Sequence, residues 1–380
     1  MMKAASCTLA FVMAMTFGAR SSLAQTCAGD CDDSHDVTVN ELLVLVNIAL
    51  DSAAVSTCVA GDLNHDGQIT IDEILVAVKN ALSACPIVST PTPTPTPAAG
   101  CLSSAAPGTV SVFAPHVGAS EGIAFLNDKL YIAGGAGIRV LGTDGSSTML
   151  ATVPSTVGMV AWNGALYAAS GSDGTVAGSF CAATNHGVIW KITTDGESSV
   201  FARGFISPNF LVVTPWNTLL VADDCRTNSN IYEVDASGNT SVWNGTVLSA
   251  NGMAFDASFN NLFVATTFVS GSPLYEIAVN PDYSSGAVTK IRNFSAGTTP
   301  DGIAIDNLGE IYVALNVAGL IHKVAPDGTD SPFASGMTTP ASLAFGNAPG
   351  FDPCSMYVTS LVGDNVYQVA VGTTGLPLVQ

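Results

Sequence analysis

Beyond residue 100, short apolar runs alternate with turn residues, and one apolar run recurs. It reads Gly122-Ile-Ala-Phe, Gly158-Met-Val-Ala, Phe210-Leu-Val-Val, Gly252-Met-Ala-Phe, Gly302-Ile-Ala-Ile and Ser342-Leu-Ala-Phe, at intervals of 36, 52, 42, 50 and 40 residues. A second run starts after each, at Leu130, Leu166, Leu219, Leu262, Ile311 and Met356, and a third at Ile138, Val188, Ile231, Leu274, Ile321 and Val366. Turns such as Asp144-Gly145, Asp195-Gly196 and Asp327-Gly328 lead into a fourth. Four strands repeated with a period near forty predict a β-propeller, and six anchors predict six blades. The sixth blade lacks a convincing fourth strand of its own. Val110-Ser-Val-Phe-Ala114 resembles Ser199-Val-Phe-Ala202, a fourth strand elsewhere, so the N-terminal strand is expected to complete the last blade.

Before residue 90 the apolar period changes. Leu42, Leu45, Val46 and Ala49, and again Ile74, Leu75, Val78 and Leu82, follow helical spacing. The two stretches are copies: DCDDSHDVTVNELLVLVNIAL and DLNHDGQITIDEILVAVKNAL, their first aspartates 32 residues apart. The fold class expected is therefore mainly β, a six-bladed propeller with a small α-helical pair at the N-terminus. Residues 86–100, PIVSTPTPTPTPAAG, suit a semi-rigid polyproline spacer between the module 27–85 and the propeller 101–380. Residues 1–24 read as a secretory signal: Lys3, an apolar stretch, then Ser22-Leu23-Ala24 at a small-x-small cleavage site. A retained anchor is the alternative. Cleavage would leave no membrane span and an exported protein, secreted, periplasmic or on the cell surface.

Charge narrows the function. Lys and Arg number 11, Asp and Glu 30, and the net charge is −19, so the basic footprint of a nucleic-acid binder is missing. The same excess suits cations. Eight cysteines follow the signal, four on each side of the spacer: Cys27, Cys31, Cys58 and Cys85, then Cys101, Cys181, Cys225 and Cys354. Even counts in an exported chain predict disulfides within each part, with free buried thiols as the alternative. A Cys101–Cys354 bridge would lock the ring closure, and Cys181 and Cys225 could pair.

The acidic loops match calcium chemistry. In the second, Asp62, Asn64, Asp66, Gln68, Thr70 and Glu73 stand at positions 1, 3, 5, 7, 9 and 12 of a twelve-residue loop, with Gly67 at the bend. Six to eight oxygens around Ca²⁺ need that spacing, so this is an EF-hand loop in full. In the first, Asp30, Asp32, Ser34, Asp36, Thr38 and Glu41 fill the same positions, but His35 replaces the glycine, and a weaker site is expected. A structural pseudo-loop is the alternative. With their exit helices, the paired loops resemble the dockerin module of cell-surface assemblies. They differ from it in carrying Glu at position 12 and four cysteines. The resemblance implies a protein docking partner for 27–85.

The residues just before the six anchors are Glu121, Val157, Asn209, Asn251, Asp301 and Ala341. Equivalent by repeat, they are expected to face the propeller axis at one depth. Four of the six carry oxygen donors, although Asp, Glu and Asn make up only about one residue in seven. Two carboxylates and two amides around one point suit Ca²⁺, with strand capping by Asx side chains as the alternative. In Ser120-Glu121-Gly122, Ala250-Asn251-Gly252-Met-Ala-Phe and Pro300-Asp301-Gly302-Ile-Ala-Ile, the chain resembles the SMP-30/gluconolactonase family of six-bladed propellers. The resemblance implies a Ca²⁺-dependent hydrolase of a small lactone, ester or phosphotriester. It places the metal on Glu121, Asn209, Asn251 and Asp301, with Asp301 and Glu121 as the catalytic carboxylates and Asp301 as base or nucleophile. Members acting on sugar lactones often carry Arg two residues before the second ligand, where this chain has Ser207. A non-catalytic NHL-like binding propeller tethered to a calcium-dependent docking module is the alternative. His116, His186 and His322 are expected in loops or on the surface, and Asn239, Asn244 and Asn293 open glycosylation sequons.

Overall fold

A computed structural model describes residues 27–83 except 33, 35, 64 and 65, residues 100–377 except 175–184, 226–228 and 296, and residue 379. The signal sequence, most of the Thr-Pro stretch, Asn64, His35, Cys85 and Cys181 lie outside the described residues. Two compact units are present, one on each side of residues 84–99.

The larger unit is a six-bladed propeller. Each blade is a four-stranded antiparallel sheet. The innermost strands are Gly122–Leu126, Thr156–Trp162, Pro208–Val213, Ala250–Phe255, Pro300–Ile305 and Pro340–Phe345. They pack against one another in a closed ring. Because both faces of a blade meet a neighbour, the second strands are nearly continuous apolar runs rather than alternating ones. Six apolar clusters fill the six interfaces. Between blades 1 and 2, for example, Leu126, Tyr131 and Ala133 meet Met159, Leu166 and Ala168.

Closure follows the sequence expectation. Strand Val110–Ala114 pairs antiparallel with Val366–Ala370, so the order in blade 6 runs from the N-terminal strand through the last three strands. Phe113 from that strand packs edge-on to Tyr357 and tilted to Phe351, which in turn meet Phe125 of blade 1. The Cys101–Cys354 disulfide fastens the segment ahead of the strand, with the two Cα atoms 5.0 Å apart. Asp352 adds hydrogen bonds from the Leu102 and Ser103 amides. The sequence did not indicate the path after blade 6. Residues 372–377 return to blade 5, where Gly375 bridges Asp306 and the Leu376 amide donates to the Ile305 carbonyl.

The smaller unit holds two helices, α1 (Val39–Ala49) and α2 (Ile71–Ser83), joined through short 3-10 turns at Val55–Thr57 and Val59–Gly61. Thr38 caps α1, and Glu41 answers it from the first turn in a reciprocal capping box. Leu45, Ile48, Ile69 and Ala77 form its core around the Cys31–Cys58 disulfide. Cys27 and Cys225 are also disulfide-bonded.

The Cys101–Cys354 bond closes a loop of 253 residues. Replacing both with serine should destabilise the propeller by roughly 2–5 kcal/mol, because the unfolded chain regains that loop entropy. Urea unfolding measures the loss. Hydrogen exchange should show amides of 110–114 deprotected before the other strands, and uniform protection there would contradict this view of closure.

Candidate metal centre

Glu121, Asn209, Asn251 and Asp301 come together as the repeat predicts. Each is at most 9% exposed. A bulge places three of them. In blade 4, Ala250 pairs with Thr266 and Met253 with Val264, so Asn251 and Gly252 share one partner position. Blades 3 and 5 repeat the irregularity at Asn209 and Asp301. The extra residue re-aims a side chain away from the ladder. Close packing fixes the bulges: a Cβ on Gly158 would lie 2.1 Å from the Asn209 carbonyl oxygen, and one on Gly252 2.2 Å from that of Asp301. The equivalent positions in blades 2 and 6 hold Val157 and Ala341, both buried and apolar.

A second layer holds this ring. Asn251 donates through Nδ2 to Asp224 Oδ2 at 3.2 Å and to Thr267 Oγ1 at 3.0 Å. Ser249 Oγ donates to Asp224 Oδ1 at 2.5 Å, and Asn316 Nδ2 donates to Asp301 Oδ2 at 3.0 Å. Asp223 is fully buried and accepts the Ile206 and Ser207 amides, bracing the turn that leads to Asn209. Asp223 and the residue after it, Asp224, close the second strand of blade 3, and both are buried. Asp224, Thr267 and Asn316 were not picked out as one set. They share a frame: each is the residue after the second strand of its blade, which in the six blades is Gly135, Gly171, Asp224, Thr267, Asn316 and Leu361.

The electrostatics are those of a cation site. Burial, then repulsion from Asp301, pushes the Glu121 carboxyl well above the ordinary range. Burial raises Asp301 to about 7, while the Asn316 and Asn251 side chains oppose the rise. Burial also raises Asp224 to about 7, against the pull of Ser249 and with repulsion from Asp301 adding to it. Carboxylates from blades 1, 3 and 5 therefore sense one another. Within this described set of four, three buried oxygens have no hydrogen-bond donor: Asn209 Oδ1, Asn251 Oδ1 and Asp301 Oδ1. An acceptor stranded away from water costs about 1–3 kcal/mol. A hard divalent cation satisfies all three and offsets the repulsion, so this donor set fits one.

The other candidates lie elsewhere. His116 is exposed and pairs with Asp364, and His186 is exposed. His322 sits on the third strand of blade 5, bound to Asp330 beside the Phe294 ring. Of the sequons, Asn244 is buried with its Oδ1 accepting the Thr246 and Val247 amides, so it presents no acceptor to solvent. In the smaller unit, Asp30, Asp32 and Glu41 offer oxygens within 4.8 Å of one another. Asp62 accepts the Asp66 and Gly67 amides, and Glu73 those of Leu63 and Thr70. Gly67 adopts φ +82°, the left-handed bend expected there. Asp36, Asp66 and Gln68 are exposed.

Comparisons with known proteins agree with this architecture. The family profile described as the SMP-30/Gluconolactonase/LRE-like region matches residues 103–362. A 6-deoxy-6-sulfogluconolactonase of Pseudomonas putida is 29% identical over 175 residues, 44% of this chain and 56% of that protein. The chain thus spans about half the length of that relative. A gluconolactonase structure from Xanthomonas campestris superposes with a TM-score of 0.56 at 16% identity, covering 69% of this chain and 89% of the other. The calcium-binding protein regucalcin from Agrobacterium tumefaciens gives 0.58 at 15% identity, covering 72% and 98%. At these identities the structures speak for the fold.

The raised carboxyls set a pH signature. Without a cation, the folded propeller holds protons that the unfolded chain has released between about pH 4 and about 7, so stability from these groups falls as pH rises through that window. A bound cation keeps them ionised and removes the loss. All four tryptophans lie in the propeller, so their fluorescence reports its melting alone. Between pH 5 and 8 the stabilisation by Ca²⁺ over chelator should grow. A gap independent of pH would contradict the coupling.

Proposed function

The chain belongs to the SMP-30/gluconolactonase/LRE-like family, and from that premise we propose that its propeller is a calcium-dependent hydrolase of small lactones or related esters. One observation carries the proposal. The buried, donorless oxygens Asn209 Oδ1, Asn251 Oδ1 and Asp301 Oδ1 gather with the Glu121 carboxylate in a family propeller.

Glu121, Asn209, Asn251 and Asp301 would hold the ion. When bound, Ca²⁺ supplies a Lewis acid for the substrate carbonyl or phosphoryl oxygen. The remaining work falls to the chain. Asn316 holds Oδ2 of Asp301 and leaves Oδ1 for the ion. The Asp301 carboxylate would accept the proton of an incoming water as that water adds to the substrate carbonyl and the alcohol leaves, or would itself add to the carbonyl, expel the alcohol and be released by water. Asp224 fixes Asn251 through its amide nitrogen, so the Asn251 oxygen faces the site. Glu121, two blades away around the ring, contributes a second carboxylate close enough to be repelled by Asp301. The buried Val157 and Ala341 keep the remaining positions dry. With Ser207 where sugar-lactone members often carry Arg, the substrate differs from a simple sugar lactone.

The smaller unit supports a second role. Val39, Leu43, Val46 and Leu50 on α1, and Ile71, Leu75 and Leu82 on α2, are exposed large apolar side chains at helical spacing. An exposed stripe duplicated on both copies favours a protein docking face. Asp30, Asp32, Ser34, Asp36 and Glu41, and Asp62, Asn64, Asp66, Gln68 and Glu73, would bind Ca²⁺ and set the helices. Secretion would place this pair where calcium is plentiful.

The full chain should hydrolyse members of a panel of lactones, aryl esters and phosphotriesters, and chelation should abolish the activity. Asn251→Ala and Asp301→Ala should each lower kcat/KM by ~10²-fold or more, the scale of losing metal-based stabilisation of the transition state. Turnover that survives chelation, or is undiminished in Asp301→Ala, would contradict a metal-dependent reaction at this ring, and no turnover of any panel member would leave a binding propeller of NHL type. For the loops, Ca²⁺ added to residues 27–85 should increase helical circular dichroism, and Glu73→Gln should weaken the response. An identical response in that variant would contradict the assignment.

A further inference from the structure

Of the three described arginines, two bind aspartate: Arg203 pairs with Asp173 and Arg292 with Asp330. Arg139 is different. It lies on strand Gly137–Leu141 of blade 1 and is half-buried. Its single hydrogen bond runs from Nη1 to Ser147 Oγ at 3.3 Å. In a chain of net charge −19, a half-buried arginine with no carboxylate is conspicuous on energetic grounds. A guanidinium partly out of water retains its demand for an anion.

Arg139 lines a cleft of about 190 Å³, between the connection 117–120 entering blade 1 and the hairpin 134–137. Ser120 lines it too. Its side chain is 3% exposed, and its Oγ is buried with no hydrogen-bond partner. Gly134 and Gly135 form part of the wall, and a Cβ on Gly135 would meet nothing within 4 Å. Ser120 immediately precedes Glu121, so the cleft wall and the candidate metal centre are joined through the backbone. A guanidinium with no carboxylate partner, an unsatisfied hydroxyl and a bare glycine wall together describe an oxyanion pocket.

We propose that this cleft is a substrate subsite that takes an anionic substituent, a carboxylate, sulfonate or phosphate, with Arg139 as its cation and Ser120 as a hydroxyl donor. The subsite rests on the lactonase reading: it would hold the charged end of the molecule while the ester or lactone carbonyl lies at the axial centre. It also answers an electrostatic problem. Glu121, Asp224 and Asp301 repel an anionic substrate, and Arg139 provides attraction at one defined place. Specificity would then arise because a neutral lactone leaves the guanidinium and the Ser120 hydroxyl unpaired.

The test compares lactones of one ring size, neutral or bearing a carboxylate, sulfonate or phosphate remote from the carbonyl, on the calcium-loaded full chain. The ratio of kcat/KM for charged over neutral substrate should exceed one in the parent. It should fall ~10-fold or more in Arg139→Gln, mainly through KM, and partly recover in Arg139→Lys. The rank among the three anions identifies the chemistry preferred. A ratio unchanged by Arg139→Gln would overturn the subsite. If no lactone is hydrolysed, the lactonase reading fails, and calorimetric binding of the corresponding open-chain dianionic acids judges the subsite alone. Binding lost in Arg139→Gln would support it, and no binding, or binding indifferent to Arg139, would overturn it.

Discussion

Negative charge and unpaired oxygen, buried together around one axis, govern this propeller. Asn209 Oδ1, Asn251 Oδ1 and Asp301 Oδ1 have no donor, and Glu121 and Asp224 add carboxylates that repel Asp301. Left alone, such a cluster is destabilising, since each stranded acceptor and each desolvated charge costs free energy. Much of the surrounding architecture holds it in place regardless. The bulges aim the side chains, the glycines admit the neighbouring backbone at close range, and the closing strand with its disulfide keeps six blades from relaxing apart. Strain of this kind persists where the rest of the fold over-determines it, and it marks sites built for a ligand.

The two units hold their acidic groups in opposite ways. At the axis, acceptor oxygens stay unsatisfied in a rigid ring. In the loops, the acidic side chains already have partners: Glu41 accepts the Cys31 and Thr38 amides, and Glu73 those of Leu63 and Thr70. These carboxylates cap their helices as well as closing the loops. An ion proposed for the loops would compete with these hydrogen bonds, whereas one proposed for the axis would meet oxygens that lack donors.

Much of this was legible in the sequence because propellers are periodic. Six anchors gave the inner strands, and the residue before each gave Glu121, Asn209, Asn251 and Asp301. Even Asn209, preceded by Ser-Pro and followed by Phe rather than Gly, falls in frame, braced by Asp223. Closure by residues 110–114 could be read because one strand was missing at the end and one was spare at the start. The supporting layer was harder to read. Asp224, Thr267 and Asn316 share a frame with Gly135, Gly171 and Leu361, so no residue type recurs to mark it. Asp224 also acts on Asn251 in the next blade, across connections of unequal length. Arg139 gave no signal, because its importance lies in the carboxylate it lacks. The return of residues 372–377 to blade 5 is a tertiary contact that no repeat announces.

On the proposed function, one divalent cation completes the axial cluster. Metal content of the full chain carrying Glu41→Gln and Glu73→Gln, which weaken both loops, tests it most directly. After equilibration with calcium and removal of free ions, one equivalent should remain, and the addition of Asp301→Ala should eliminate it. A protein that retains no calcium with the axial residues intact would contradict the account.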